Sequence, residues 1–313
     1  MNLELTEEAL EFGRTAQKAI EAAGGDALVR QAEREPERRG PITEPVLASL
    51  GAWELDVRRG VDELEAAAAL CRAAGWWALP HPVAERLARP TDLDADGLVL
   101  VGDRRPAAAV SELDLRWAAV TVHGARSIAR PQSPELPPRT GAFVTGLELE
   151  PVDRAAPVDV ALALVLPCWT LLGMLDRAVD LTRRYVLDRH QFGQPLATFQ
   201  SVQFQLTDAE VERAGVDELA RYALWSIEAD RGEVVDDALA LRVAAVDAAD
   251  VVFRIAHQLH GAIGFCDETT ISWVSRYSAP LRRLPWGSSG SLDALTRRIG
   301  RGGLTGIYGG DAQ

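Results

Sequence analysis

Lysine is nearly missing from this chain: Lys18 stands alone among 33 basic residues, and the rest are arginine. With alanine abundant, that bias reads as GC-rich coding more than as a physical adaptation. Basic charge is short as well, since 46 acidic residues leave a net charge of −13. Nucleic acid is therefore excluded as an expected partner, because phosphate binding needs a basic stripe. A nucleotide cofactor needs only local arginines and stays open. Cysteine is sparse: Cys71, Cys168 and Cys266 lie too far apart to form a metal or redox pair, and no metal site is expected. Each sits in an apolar run that predicts burial. Long hydrophobic runs are lacking too. The run from Val160 to Cys168 is too short to cross a bilayer, and no secretory leader is read at the start. A cytoplasmic protein with no membrane partner is expected.

What is present is enough for two domains or three small ones, at 313 residues with an ordinary globular balance of apolar and charged groups. Residues 1–90 read as helical. Thr6 with Glu7 and Glu8 opens a helix whose apolar face is Leu10, Ala16 and Ile20, ending at Gly24-Gly25. Residues 33–40, charged and proline-containing, read as a solvated loop. A short helix follows around Glu44 to Gly51, and a better one spans Val61 to Gly75 with Leu64, Ala67, Ala68 and Cys71 at helical spacing. Residues 91–152 carry three short strand patterns: Leu98 to Val101, Trp117 to Val122 and Ala142 to Leu147. Residues 153–313 read as a helical bundle. Pro157 opens a helix to about Asp188, a second runs from Phe199 to about Ala229, and a third from about Asp236 to His260.

The stretch from Tyr185 to Asp208 organises the rest. Gly193 and Pro195 break the first long helix, and Thr198 is placed to cap the second with its hydroxyl. Phe199, Val202, Leu206, Val211 and Leu219 predict one buried face for that helix. The corner between them carries a guanidinium, Arg189, an aromatic ring, Phe192, and a glycine.

This corner resembles the acyl-CoA dehydrogenase family, in which R-x-x-F-G and then P-L-x-x-F-Q-x-V-Q-x-x-L-x-D join two helices of the C-terminal bundle. The resemblance implies a mainly α fold with an N-terminal helical domain, a middle β-domain and a C-terminal four-helix bundle. It also implies FAD as cofactor, with the corner reaching a neighbouring chain's FAD. A guanidinium grips a pyrophosphate as a fork, and an aromatic face packs a flavin or ribityl edge. Gln258-Leu259-His260-Gly261-Ala262-Ile263-Gly264 is similar to the family's Q-x-x-G-G-x-G, which meets the adenine end of the neighbour's FAD. Ala262 replaces the second glycine. The cofactor-contact residues implied are thus Arg189, Gln191, Phe192, Gln258, Gly261 and Ala262; His260 reads as a turn residue rather than a base. Trp76 and Trp77 fall where the family's N-terminal domain covers the acyl pocket, so either is placed to wall a cavity or to pack the core.

Two departures follow from the same comparison. The middle β segment is short and lacks the T-E-P-x-x-G-S-D and W-x-T patterns that hold the flavin ring. The catalytic carboxylate is also missing. Proton abstraction from an acyl thioester calls for a desolvated Glu; Trp286 stands at its usual place and Ala163 at the alternative one on the long helix. Asp159, one turn earlier, is the nearest substitute. The chain resembles the short subunits of heteromeric acyl-CoA dehydrogenases of actinobacterial steroid catabolism. That resemblance implies a longer partner subunit carrying the Glu, an acyl-CoA substrate with a bulky acyl part, and an electron-transfer acceptor. Two alternatives stay open: a self-sufficient flavoenzyme using Asp159 or another base, and a flavin-free scaffold or binding subunit.

Overall fold

The computed structural model describes residues 3–132 and 142–300, so the last residues of the third segment lie outside it. Helix α1 (Glu7–Ala22) opens as its sequence dictates, with Thr6 Oγ1 accepting from the backbone N–H of Ala9. It buries Ala9, Ala16 and Ile20, while Leu10 is largely exposed. Residues 33–40 are not a solvated loop. Helix α2 (Asp26–Arg34) runs into them, Pro36–Arg38 forms one 3₁₀ turn, and α3 (Arg39–Ser49) starts earlier than its apolar pattern indicates. The reason is Arg39, only 3% exposed. Its Nε, Nη1 and Nη2 donate to the carbonyls of Pro80, Ser111 and Ala109 at 2.7, 2.7 and 2.9 Å. A buried guanidinium held by three carbonyls nails this segment to chain much further along.

Helix α4 (Val61–Trp76) and the short α5 (Val83–Leu87) complete the first helical layer. A five-stranded sheet follows: β1 (Gly97–Leu100), β2 (Ala107–Ala108), β3 (Trp117–Val120), β4 (Ala125–Pro131) and β5 (Thr145–Arg154), in the order β1-β3-β4-β5-β2. Only β1 and β3 pair in parallel. The sheet sorts its residues by strand period: Leu98, Ala118 and Val120 join the helical core, while Val99, Trp117 and Ala119 build a second small core on the other face. Strands β2 and β4 carry no alternating pattern and were not legible from it. Strand β5 begins at Thr145, Ala142 and Phe143 being a turn with positive φ.

Helix α6 (Pro157–Asp188) is the centre of the molecule, with Pro157 in its first turn as expected. As a whole it is long and apolar enough to span a membrane, but 83% of its most apolar window is buried against other helices. Helices α7 (Gln200–Glu228) and α8 (Val234–His260) complete an up-down-up arrangement around it. Thr198 does not cap α7. Its hydroxyl donates to the Pro195 carbonyl, and Phe199 occupies the cap position. The expected face of α7 is only partly the buried one: Val202 is buried, but Val211 is 64% exposed and Leu219 is exposed too, while Ala209, Val216, Ala220 and Ala223 face the bundle. Small residues let α7 lie close, Leu224 and Ile227 pack near its end, and Phe204, Val211 and Leu219 point outward. Helices α9 (Thr270–Tyr277), α10 (Ala279–Arg283) and α11 (Ser288–Ile299) close the chain over the bundle. Cys71 and Cys168 are buried as expected, but Cys266 is exposed in the turn after α8.

The tightest contact is between α4 and α6. A methyl added at Gly75 would run into the Thr170 carbonyl, and one at Gly173 into the Arg72 carbonyl. Gly173→Ala is expected to destabilise the fold by about 3 kcal/mol, because backbone has no rotamer with which to yield. Gly215→Ala, on an exposed and open part of α7, should instead stabilise by roughly 0.5–1 kcal/mol. Chemical denaturation of the two variants checks both signs.

Candidate cofactor-contact corner and neighbouring cavity

Helix α6 ends at Asp188, and the chain turns through a minimal hairpin of β6 (His190–Gln191) and β7 (Gln194–Pro195). The two residues at its tip, Phe192 and Gly193, both have positive φ, at 56° and 81°. Such a turn suits the strand twist, and glycine takes it freely. An aromatic residue there is strained, which holds Phe192 out from the body, 90% exposed. The amide of Leu196 closes the corner on the Arg189 carbonyl at 2.8 Å. Arg189 and Gln191 are exposed, and the Arg189 guanidinium makes no ion pair or hydrogen bond among the described residues.

The Gln258–Gly264 segment lies at the same end of the bundle. His260 is the last residue of α8 rather than part of the turn; it is buried, and its ring stacks on Tyr185 with centroids 4.4 Å apart. Tyr185 in turn accepts the Arg189 amide at its carbonyl, so the stack ties the α8 terminus to the corner. Gln258, Gly261 and Ala262 are exposed, and nothing stands within 4 Å of the position a side chain at Gly261 would occupy. All six residues implied by the resemblance thus lie on the open surface of one bundle end. The donor set fits FAD: a free guanidinium for a pyrophosphate, an amide side chain and an open glycine turn for the adenosine end, and an aromatic ring for packing. Phe265, 68% exposed and stacked on His257, and the exposed Ile263 extend the surface. The signal for Phe265 was its place in the glycine turn.

The two positions at which the resemblance puts the family's base, Ala163 and Trp286, lie elsewhere. Ala163 lines a cavity of about 110 Å³ walled by Leu79, Pro82, Val99, Phe143 and Met174. Trp286 is partly buried, with its indole beside Gly102, and its carbonyl accepts from Arg242 Nη2 at 2.9 Å. Asp159 is unavailable as a base, being buried and bound by the Arg58 guanidinium at 2.5 Å. Neither tryptophan of the Trp76-Trp77 pair walls this cavity. Trp77 is buried with its Nε1 donating to the Gln17 carbonyl, and Trp76 borders a groove beside α1. A carboxylate that was missed does line the cavity: Glu85, whose pKa burial pushes up. Its only signal was a lone acid in the apolar, proline-flanked run from Leu79 to Leu87.

Three histidines around these sites are held below their ordinary pKa, chiefly by burial. They are His81, His257 and His260, with His81 further opposed by Arg39 and Arg86. The folded chain therefore stays neutral at these rings while the unfolded chain takes up protons as pH falls through about 6.5. Stability should be full above that pH and fall below it, by up to about 1.4 kcal/mol per pH unit for each histidine. The raised carboxyls of Glu85 and Asp237 act oppositely, since the fold takes up their protons before the unfolded chain does. Thermal melts from pH 7.5 to 5.5 should show the loss, and His260→Gln should flatten it.

Comparison with known proteins agrees with this architecture. Residues 165–304 match the model of the acyl-CoA dehydrogenase C-terminal domain, and the whole chain has the acyl-CoA dehydrogenase fold. The chain is similar to acyl-CoA dehydrogenase FadE28 of Mycobacterium tuberculosis, 34% identical over 128 residues, covering 40% of this chain and 37% of that protein. The chain thus matches little more than a third of that relative's length. Among solved structures, a chain of the ChsE4-ChsE5 complex from Mycobacterium tuberculosis superposes with a TM-score of 0.71 at 17% identity, covering 96% of this chain and 98% of that one. The Tcur3481-Tcur3483 steroid ACAD gives 0.72 at 20% identity, covering 96% and 99%.

Proposed function

We propose that this chain is the non-catalytic subunit of a heterotetrameric, FAD-dependent acyl-CoA dehydrogenase. In this reading it completes the flavin site of a longer partner that carries the catalytic Glu. The carrying observation is the separation of two features on one helix. Ala163 and Arg189 lie at opposite ends of α6, roughly 40 Å apart along its axis at helical rise. A corner so far from the chain's own base position serves a flavin whose reactive ring lies in another chain. The exposed Phe192 and the unpartnered Arg189 fit that role, since an apolar ring and a free guanidinium on a surface are both stabilised by a covering partner.

Arg189 would hold the pyrophosphate as a charge-assisted fork, with Gln191 and Phe192 beside it. Gln258, Gly261 and Ala262 would border the adenosine end. Bound FAD would supply the hydride acceptor for α,β-desaturation of a CoA thioester, and an electron-transfer protein would reoxidise it. The partner's carboxylate would take the α-proton; in this chain Ala163 and Trp286 offer none, and Asp159 is neutralised by Arg58. The steroid ACAD and the ChsE4-ChsE5 complex share the fold and are named as two-component proteins, which supports a bulky, steroid-like acyl group and a second subunit. The expected setting is the cytoplasm.

Purification alone and after co-expression with the longer dehydrogenase tests this reading. The chain alone should be colourless, and the complex yellow with one flavin for each pair of unlike chains. In the complex, Arg189→Ala should weaken flavin retention about tenfold, the loss of one charge-assisted contact. Flavin bound by the chain alone, or retention unchanged in the variant, would reject it.

A further inference from the structure

The cavity lined by Ala163 holds one carboxylate, Glu85, which Arg39 favours through its charge without a direct contact among the described residues. Glu85 makes no ion pair among the described residues, and its one favourable hydrogen bond is to its own backbone amide. Arg39 and Arg242 also line the cavity, but their forks are spent on its walls. Arg39 holds three carbonyls, and Arg242 holds those of Leu281, Leu284 and Trp286 at 3.2, 2.6 and 2.9 Å. Arg242 Nε has no partner but is covered from the cavity. Tyr277 donates its phenol to Glu33 at 2.8 Å, and His81 is engaged with Thr43 at 3.0 Å. Glu85 is therefore the acceptor left open, while those polar neighbours serve the walls and the remaining lining is largely apolar.

The geometry points to a ligand site in this chain's own cavity for a compact, neutral, apolar alcohol whose hydroxyl donates to Glu85. A cation is disfavoured because two guanidiniums against one carboxylate leave the lining positive. An anion finds no free donors, since those guanidiniums already serve the walls. A neutral molecule with a single hydroxyl satisfies the acceptor and buries the rest of its surface on Leu79, Val99 and Met174. The site goes beyond the shared-flavin reading and needs no flavin, so either stands if the other fails.

Cyclohexanol and methylcyclohexane, nearly equal in size, are the probes, with binding followed by ligand-observed NMR on the chain purified alone. Cyclohexanol should bind about tenfold more tightly, the worth of one hydrogen bond to a carboxylate. Glu85→Leu should abolish that preference, while Glu85→Gln, which keeps an acceptor and the shape, should retain part of it. Ala163→Leu should block both probes by filling the cavity. Because residue 163 lies on the core helix, Ala107→Phe fills the same cavity from the edge of the sheet as a second variant. Equal affinity of the two probes in the unaltered chain, a preference that survives Glu85→Leu, or binding that survives both filling variants would overturn the assignment.

Discussion

The crossing of α4 and α6 at Gly75 and Gly173 is the constraint on which the rest of the structure depends. Each glycine lies against a backbone carbonyl of the other helix, so the two axes approach as closely as peptide groups allow. The approach fixes the height of α6 against the N-terminal helices. Everything functional hangs from that helix: the cavity beside Ala163 on the N-terminal side of the crossing, and the Arg189 corner beyond its far end. Closely packed interiors move little when loaded, and a helix held this way keeps its two ends at a set distance.

Arginine is what makes the interior of this protein workable. Arg39 and Arg242 each hold several backbone carbonyls from segments distant in sequence, a task for a planar group with five donors. An ammonium is a compact point charge and would serve fewer of them. Between α4, α6 and α7, Arg72, Arg213 and Arg221 interleave with Asp176 and Asp217 in one partly buried network. The cost is desolvation, visible in Arg39, whose pKa burial pulls down to about 9.

The two ends of α6 divide the chemistry. One end holds the cavity lined by Ala163; the other presents an exposed surface around Arg189 and Phe192. Phe192 shows the second point in its conformation as well as its exposure. A bulky residue with positive φ persists only when the surroundings enforce it, and here the two-residue hairpin does. That hairpin sets the ring out on the surface, where it meets Phe199 edge-on with centroids 6.1 Å apart.

Long helices, the corner and the glycine turn were legible because each is local: helical period, a proline opener, and a turn at Gly193 act over a few residues and leave their mark in order. The amino-acid sequence by itself therefore determined the three bundle helices and the exposed Arg189 corner, and it puts Ala and Trp rather than a carboxylate at positions 163 and 286. It did not determine which face of α7 is buried, because Val211 and Ala209 are distinguished only by what packs beside them. Nor did it reveal that Arg39 opens a helix, or that Arg58 neutralises Asp159, since those partners lie far away in sequence. Only the tertiary structure brought Glu85 into the cavity beside Ala163 and set His260 against Tyr185. Such pairings come from whole helices docking, and docking is decided by the shape of the assembled surfaces rather than by any local pattern.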